Sequence, residues 1–133
     1  MIMRRLLFLS LGFMLMLPAL VSAQQDGDLS FDSTVCDFGT VVRENTIHTH
    51  VFSFENRGED PVVVLGVQTS CSCLKTEYSR RPLKRGERGE VTVHLEALKI
   101  DEGVFHRVVK VQTNKGLYLL TVKGQSASSD SSK

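Results

Sequence analysis

The stretch HTHVFSFEN, residues 48 to 56, decides the fold class because its apolar residues recur at every second position. Phe52 and Phe54 share one parity with His48 and His50, whereas the other parity is mostly polar. Successive side chains of a β-strand point to opposite faces of the sheet. This period of two therefore predicts a half-buried strand with both phenylalanines in the core and both histidines on its rim.

The same alternation recurs twice further along the chain. EVTVHLEAL, at 90 to 98, has one uniformly apolar parity, and VFHRVVKVQT, at 104 to 113, has one whose polar exception is Arg107. Both segments predict strands that bury one face. The predicted core residues of these two strands are Val91, Val93, Leu95, Phe105, Val109 and Val111.

Shorter apolar runs complete an all-β pattern. They are LSFDSTV at 29 to 35, PVVVLGVQT at 61 to 69 and LYLLTVKG at 117 to 124. Clusters rich in Gly, Asn and Asp separate the runs, and TNKG at 113 to 116 predicts a hairpin. About seven short strands in one domain predict an immunoglobulin-like antiparallel β-sandwich.

The first 23 residues have the features of a signal peptide. Arg4 and Arg5 precede an apolar run from Leu6 to Leu17, and small residues lead to a predicted cleavage after Ala23. We therefore expect an exported protein, periplasmic or secreted, with no integral membrane segment in its mature chain. The expected division is a signal peptide at 1–23, a short segment at 24–28, the sandwich at 29–124 and a disordered Ser-rich tail at 125–133.

Charge and composition exclude some classes of partner. Removal of Arg4 and Arg5 leaves 14 basic against 15 acidic residues, so the expected mature chain has a formal net charge of −1. This balance gives no indication of nucleic-acid binding. A basic cluster, RRPLKRGER at 80 to 88, is either a solvated loop or a contact for an acidic partner.

Three stretches, at 38–64, 67–93 and 103–114, together resemble the bacterial domain-of-unknown-function family 1573, DUF1573. The resemblance rests on a Phe-Gly-Thr start, an Asn-x-Gly strand end, a Ser-Cys-x-Cys motif, a Pro-x-x-x-Gly turn and a glycine-led strand ending in Asn. Ser72 stands where the family motif usually has glycine between the cysteines. The motif positions here are Phe38, Gly39, Thr40, Asn56, Gly58, Ser70, Cys71, Cys73, Pro82, Gly86, Gly103 and Asn114.

The resemblance implies an exported bacterial immunoglobulin-like domain, similar in architecture to pilus-chaperone and sperm-protein domains. It implies no reaction, and a shared fold is in any case weak evidence for function. A specific role must therefore be argued from a site.

The three cysteines, Cys36, Cys71 and Cys73, leave three intrachain pairings open. A Cys71–Cys73 bridge on an extended strand would reach the limit of unstrained geometry. A bridge from Cys36 to either of the others would close a loop of about 36 residues and stabilise the fold by about 3 to 4 kcal/mol. That bridge requires the first strand to lie beside the end of the run at 61–69.

A metal site is the alternative use of these thiols. Cys71 and Cys73 could face the same way and bind Cu(I) or Zn(II), with His48 and His50 completing a Cys2His2 set. However, the Cys-x-Cys spacing differs from the Cys-x-x-Cys of established zinc motifs and of thiol-redox proteins. We therefore expect structural cysteines and no cofactor.

No enzyme signature is present in the sequence, such as a nucleophile elbow, a zinc-protease motif or a phosphate-binding glycine loop. The expected function is that of a non-catalytic binding or structural module that acts through contact with an unknown protein partner. One predicted mode is strand addition at an exposed sheet edge. The alternative is a periplasmic metal-handling or thiol-redox protein that uses Cys71 and Cys73.

Overall fold

The computed structural model describes residues 27–128, which form eight β-strands and one short 3-10 helix. The strands are β1 Leu29–Phe31, β2 Val35–Val42, β3 Ile47–Asn56, β4 Val64–Thr69, β5 Leu74–Tyr78, β6 Arg88–Glu96, β7 Gly103–Thr113 and β8 Gly116–Ala127. The 3-10 helix is Ala97–Lys99.

Two four-stranded sheets build a sandwich, which confirms the predicted fold class. The first sheet has the order β1-β3-β6-β5, and the second has the order β2-β8-β7-β4. The pairs are antiparallel except for β2 and β8, which run parallel. The four edge strands of the described domain are therefore β1, β5, β2 and β4.

The pairing of β3 with β6 is the regular centre of the first sheet and confirms the predicted alternation. Phe52 lies opposite Val91, and His50 lies opposite Val93. Phe52, Val91 and Val93 are buried, while the two histidines of β3 are partly exposed at the rim. Burial of this apolar face against the second sheet supplies the main stabilisation of the sandwich.

The second sheet is centred on the hairpin of β7 and β8. The hairpin turns at Asn114 and Lys115, as the sequence predicts, and Gly116 has a φ of 135° that other residues rarely adopt. Arg107, the polar exception on the inner face of β7, is only partly buried. The predicted core residues of β7 are all buried.

Two predicted runs do not form single strands. The run at 29–35 forms only β1 and the first residue of β2, because the chain bends at 32–34 and crosses from the first sheet to the second. The rest of β2, residues 36–42, was not predicted as a strand. In the run at 61–69, Val62 instead forms an isolated bridge with Leu83, and β4 begins at Val64. The strand β5 was not predicted as a separate element.

The C-terminal boundary lies further along than expected. β8 continues to Ala127, because Ser126 and Ala127 pair with Val41 and Val42 of β2, so 125–127 belong to the sheet and not to a tail. The predicted signal peptide at 1–23 and the tail residues 129–133 lie outside the described residues. Within residues 27–128, no helix is long and apolar enough to span a membrane.

Candidate functional site

The connection from β4 to β5 is a tight turn that joins the two sheets and contains both cysteines of the Ser-Cys-x-Cys motif. The backbone N–H of Leu74 donates to the carbonyl oxygen of Cys71 at 3.3 Å, which closes a four-residue turn. Cys71 and Cys73 form a disulfide with an S–S distance of 2.11 Å. Ser72, exposed between them, does not need a left-handed conformation, because none of the described non-glycine residues has a positive φ.

The expectation of a bridge at the geometric limit depended on the wrong local structure. It assumed an extended strand, but the turn brings the Cα atoms of Cys71 and Cys73 to 5.2 Å. That separation lies inside the usual range of about 4.4 to 6.8 Å for disulfides. The turn thus makes the shortest of the three candidate pairings feasible.

Cys36 is left as a free, buried thiol in β2. Strands β8 and β7 lie between β2 and β4 in the second sheet, so the first strand does not lie beside the end of the run at 61–69. Burial, followed by the nearby carboxylate of Asp37, raises the pKa of Cys36 to about 11. This thiol is therefore protonated and unreactive at neutral pH.

His48 and His50 contact aromatic rings and do not approach the cysteines as a ligand set. The His50 ring lies 4.6 Å from that of Phe52, centroid to centroid, and the His48 ring lies 6.0 Å from that of Phe38. Among residues 27–128, no three His, Cys, Asp or Glu side chains are grouped to hold a metal ion. The Cys2His2 alternative is thus not assembled, and His48 and His50 form the rim of the core as the alternation predicts.

The turn with the disulfide lies at one end of the sandwich, which we call the cysteine end. It contains Ser70, Cys71, Cys73, Glu96 and Gly103. Ser70 continues the pairing of β4, since its N–H donates to the carbonyl oxygen of Val108 and its hydroxyl accepts from the Val108 N–H, both at 3.2 Å. The N–H of Glu96 donates to the carbonyl oxygen of Cys73 at 2.8 Å. The disulfide turn is therefore attached to both sheets.

The opposite end, which we call the asparagine end, is organised by Asn56 at the close of β3. Its side-chain amide, fully buried, donates to the carbonyl oxygens of Asp60 at 2.9 Å and Leu83 at 2.8 Å. Its Oδ1 accepts from the N–H of Gly58 at 2.9 Å. Gly86, with a φ of 83°, donates its N–H to the Asn56 carbonyl oxygen at 2.7 Å. One asparagine thereby fixes two loops, which explains the Asn-x-Gly motif and the glycine of the Pro-x-x-x-Gly turn.

Asn114 performs the same task for the β7–β8 hairpin. Its Oδ1 accepts from the N–H of Val63 at 2.9 Å, and its Nδ2 donates to the carbonyl oxygen of Pro61 at 3.1 Å. The hairpin is thus tied to the segment that leads into β4. Asn114 therefore stabilises the fold and is not part of a binding or catalytic site.

The Phe-Gly-Thr motif lies in the middle of β2 and marks a bulge. The register of β2 against β8 shifts between Asp37 and Thr40, and Gly39 has a φ of 66°. The carboxylate of Asp37 accepts from the N–H of Gly39 at 2.8 Å. Only a residue that tolerates the left-handed conformation fits here, so the glycine shapes an edge strand.

The motif residues therefore divide between two ends and one edge and do not converge on a catalytic cleft. Pro82 is exposed beside the bridge that Leu83 forms with Val62. The sequence suggested a possible site shared by the cysteines and the histidines. The structure instead places the disulfide beside the free edges of β4 and β5. The sequence did contain one indication of this edge, since the strand directly before the Cys-x-Cys motif has no charged residue.

Residues 29–126 match the profile of one family, described as protein of unknown function (DUF1573). The chain belongs to this family. No functionally curated protein matches this DUF1573 domain.

Solved structures similar to the DUF1573 domain share its fold. A protein of unknown function from Porphyromonas gingivalis W83 has a TM-score of 0.66 at 20% identity over 82% of this chain, which spans half (50%) of that protein. The ASH/PapD-like domain 7 of human CEP192 has a TM-score of 0.65 at 10% identity, covering 88% of this chain and 99% of that one.

The structures similar to this domain include enzymes. The secreted serine protease VesC from Vibrio cholerae has a TM-score of 0.60 at 14% identity, over 77% of this chain and 24% of that one. At these identities the likenesses show the fold alone.

Proposed function

We propose that this DUF1573 domain is an exported, non-catalytic binding module that takes up an extended segment of a partner protein along the free edge of β4. The observation that carries the proposal is that β4 is an edge strand without a charged side chain. An open strand edge offers unpaired N–H and C=O groups to another chain.

The pairing of β4 with β7 identifies which backbone groups face the partner. Ser70 exchanges hydrogen bonds with Val108, so in an antiparallel ladder every second residue of β4 bonds to β7. Gln68 therefore faces β7, whereas the N–H and C=O groups of Val67 and Thr69 point away from the sheet. These two residues supply the main-chain contacts for an added strand.

The other three edges are less suited to strand addition. β1 has three residues, and β2 is interrupted by the bulge at Gly39. β5 contains Lys75 and Glu77, and edge charges of this kind oppose pairing with another chain. The regular part of β4, from Gly66 to Thr69, is an open edge that has neither a bulge nor a charged side chain.

Side chains at this edge favour an apolar partner strand. Val67 and Cys71 pack against the core but remain partly exposed, and Leu65 on the outer side is 52% exposed. A strand added to β4 would place alternate side chains over Val67 and Cys71. The expected ligand is thus an extended segment with apolar residues at every second position.

The test is selection from a displayed library of random nine-residue peptides, followed by measurement of the dissociation constant of a selected peptide. Val67→Pro removes an outward N–H without removing a bond to β7, and proline is tolerated at such edge positions. We expect at least tenfold weaker binding of the peptide to this variant. The matched control is Val42→Pro in β2, which changes an outward N–H on the opposite edge and should leave binding unchanged.

Hydrogen exchange gives an independent measure of the same edge. Addition of the selected peptide should slow exchange of the Val67 and Thr69 amides in the folded domain. Equal binding by wild type and Val67→Pro, or peptide binding without protection of these amides, would exclude β4 as the docking edge.

Export is supported by the signal-peptide features of 1–23. The mature protein, isolated from the periplasm or the medium of a bacterial host, should begin at Gln24 by intact mass. A chain that keeps residues 1–23 and stays in the cytoplasm would contradict this part of the proposal.

Metal handling is not proposed, because the two sulfur atoms that would bind the ion are bonded to each other. The thiol-redox alternative is favoured by that same bond and is developed below.

A further inference from the structure

We propose that the Cys71–Cys73 disulfide exchanges with a pair of thiols on the extended segment that docks along β4. The choice of substrate rests on the proposed function, whereas the exchange chemistry rests on the geometry of the cysteine end. The proposal departs from the expectation that these cysteines are only structural.

Access differs sharply between the two sulfur atoms. Cys73 is fully buried, whereas Cys71, in the turn from β4 to β5, is partly exposed. Thiol–disulfide exchange requires an incoming thiolate to reach one sulfur, and its rate depends on which sulfur is accessible. Attack from solvent is therefore directed to Sγ of Cys71.

The backbone favours Cys71 as the thiolate once the bond is broken. The N–H of Cys73 donates to the sulfur of Cys71 at 3.1 Å. A hydrogen bond to the charged form stabilises that form. Reduced Cys71 should hence be the more reactive thiol of the pair, while the buried Cys73 keeps its proton.

Opening the bridge leaves the fold intact. A cross-link between residues two apart restrains a very short loop, which in the chain-entropy model contributes only about 1 to 2 kcal/mol. The turn also keeps its contacts through Ser70 to β7 and from Cys73 to β6. Both the disulfide and the dithiol forms are therefore compatible with the same sandwich.

A segment docked along β4 would lie next to the disulfide and could therefore be its substrate. β4 ends at Thr69, and Cys71 follows two residues later, a distance of about 7 Å along an extended chain. A segment paired with Val67 and Thr69 would continue past Cys71. Cysteines near the end of such a segment would meet the accessible sulfur directly.

The exchange is balanced without another oxidant. A substrate thiolate attacks Sγ of Cys71, a new S–S bond forms, and the electron pair of the old bond goes to Sγ of Cys73, which takes up a proton. A second substrate thiolate then attacks the substrate sulfur of this mixed disulfide and releases Cys71 as a thiolate. The substrate dithiol loses two electrons and becomes a disulfide, and the protein disulfide gains them.

The first experiment uses reduced glutathione and the oxidised, folded full chain. Acid quenching, alkylation and mass mapping should locate the glutathione adduct on Cys71. For the single variants, which have no bridge, oxidised glutathione replaces reduced glutathione: the Cys71 thiolate of Cys73→Ser should attack it, accumulate the same adduct and release reduced glutathione, whereas Cys71→Ser should react at least tenfold more slowly. Cys36 serves as the internal control and should stay unmodified until denaturant is added. Modification of Cys73 in preference to Cys71, or reduction only in denaturant, would overturn the exchange proposal.

The second experiment separates exchange from docking. A selected β4-binding peptide that carries two cysteines should reduce the bridge at least tenfold faster than glutathione at equal thiol concentration. Val67→Pro should abolish this advantage, whereas Val42→Pro on the opposite edge should keep it and leave the glutathione rate unchanged. Peptide binding without any exchange would overturn this inference and leave the proposed function standing. Glutathione exchange without acceleration by the bound peptide would overturn the choice of the docked segment as the substrate and would also leave the proposed function standing.

Discussion

The two ends of the sandwich are held by different chemistry. At the asparagine end, the buried amide of Asn56 makes three hydrogen bonds to the backbone of two loops. At the cysteine end, a disulfide between Cys71 and Cys73 closes the turn from β4 to β5. The asparagine network does not depend on redox conditions, whereas the disulfide does.

This difference separates a scaffold from a candidate site. Buried hydrogen bonds are costly to leave unmade, so the asparagine end is a fixed element of the fold. The cysteine end has a partly exposed cysteine, Cys71, an uncharged edge strand and a bond that we propose opens without loss of the core. Function is therefore expected at the end whose state can change.

The largest effect is expected from Asn56→Ala. The substitution removes all three hydrogen bonds of the Asn56 side-chain amide, together with a fully buried side chain. We expect a loss of about 2 to 4 kcal/mol in the free energy of unfolding, measured by urea denaturation.

The matched variant for that measurement is Asn114→Ala, because this asparagine makes two comparable hydrogen bonds at an exposed position. Water can replace those bonds, so a loss of about 1 kcal/mol is expected. Equal losses from the two variants would show that burial does not distinguish them.

A smaller effect is expected from replacing both bridged cysteines, Cys71→Ser with Cys73→Ser. The short loop predicts a loss of about 1 to 2 kcal/mol in the free energy of unfolding. Amide exchange should accelerate at 70–74 and stay unchanged around Asn56. Acceleration at both ends would mean that the disulfide supports the whole domain and would contradict the proposed division between the two ends.

The smallest effect concerns Glu96 at the cysteine end. Hydrogen bonds from Lys75, at 2.7 Å, and from Lys99 lower the pKa of this carboxyl. A carboxyl with a lowered folded-state pKa adds stability above its unfolded pKa of about 4.3 and loses it as the pH falls through the folded value.

Glu96→Gln should therefore lower the melting temperature slightly at pH 7, and the difference should vanish in acid. Asp60→Asn makes the same comparison at the asparagine end, because a hydrogen bond from Lys115 lowers the pKa of Asp60 in the same way. A difference between wild type and Glu96→Gln that persists below the folded pKa would show that charge is not the cause.

Periodic segments were predictable from the sequence, because the alternation of apolar and polar residues within a strand indicates which of its faces is buried. The alternation at 48–56 placed Phe52 and Phe54 in the core and His48 and His50 at its rim, and the structure confirms it. The end of β1 and most of β2 were not predicted, because the sheet to which each of these strands belongs depends on distant strands. β5 was not predicted as a strand, because an alternation over only five residues is too short to identify one.

The candidate site was only half predictable. The sequence pointed to Cys71 and Cys73, but the extended-strand assumption wrongly disfavoured their pairing. The role of β4 as an open edge depends on strand order, which no local pattern encodes.

The sequence by itself determined the all-β class, the core-facing residues of the periodic strands and the turn between β7 and β8, because side-chain periodicity and glycine conformations are local properties. The tertiary structure alone decided that Cys36 is isolated from the other cysteines, that Cys71 is accessible while Cys73 is buried, and that β4 lies at an edge. These outcomes depend on which strands become neighbours. That choice is made by the burial of the whole core and not by any one segment.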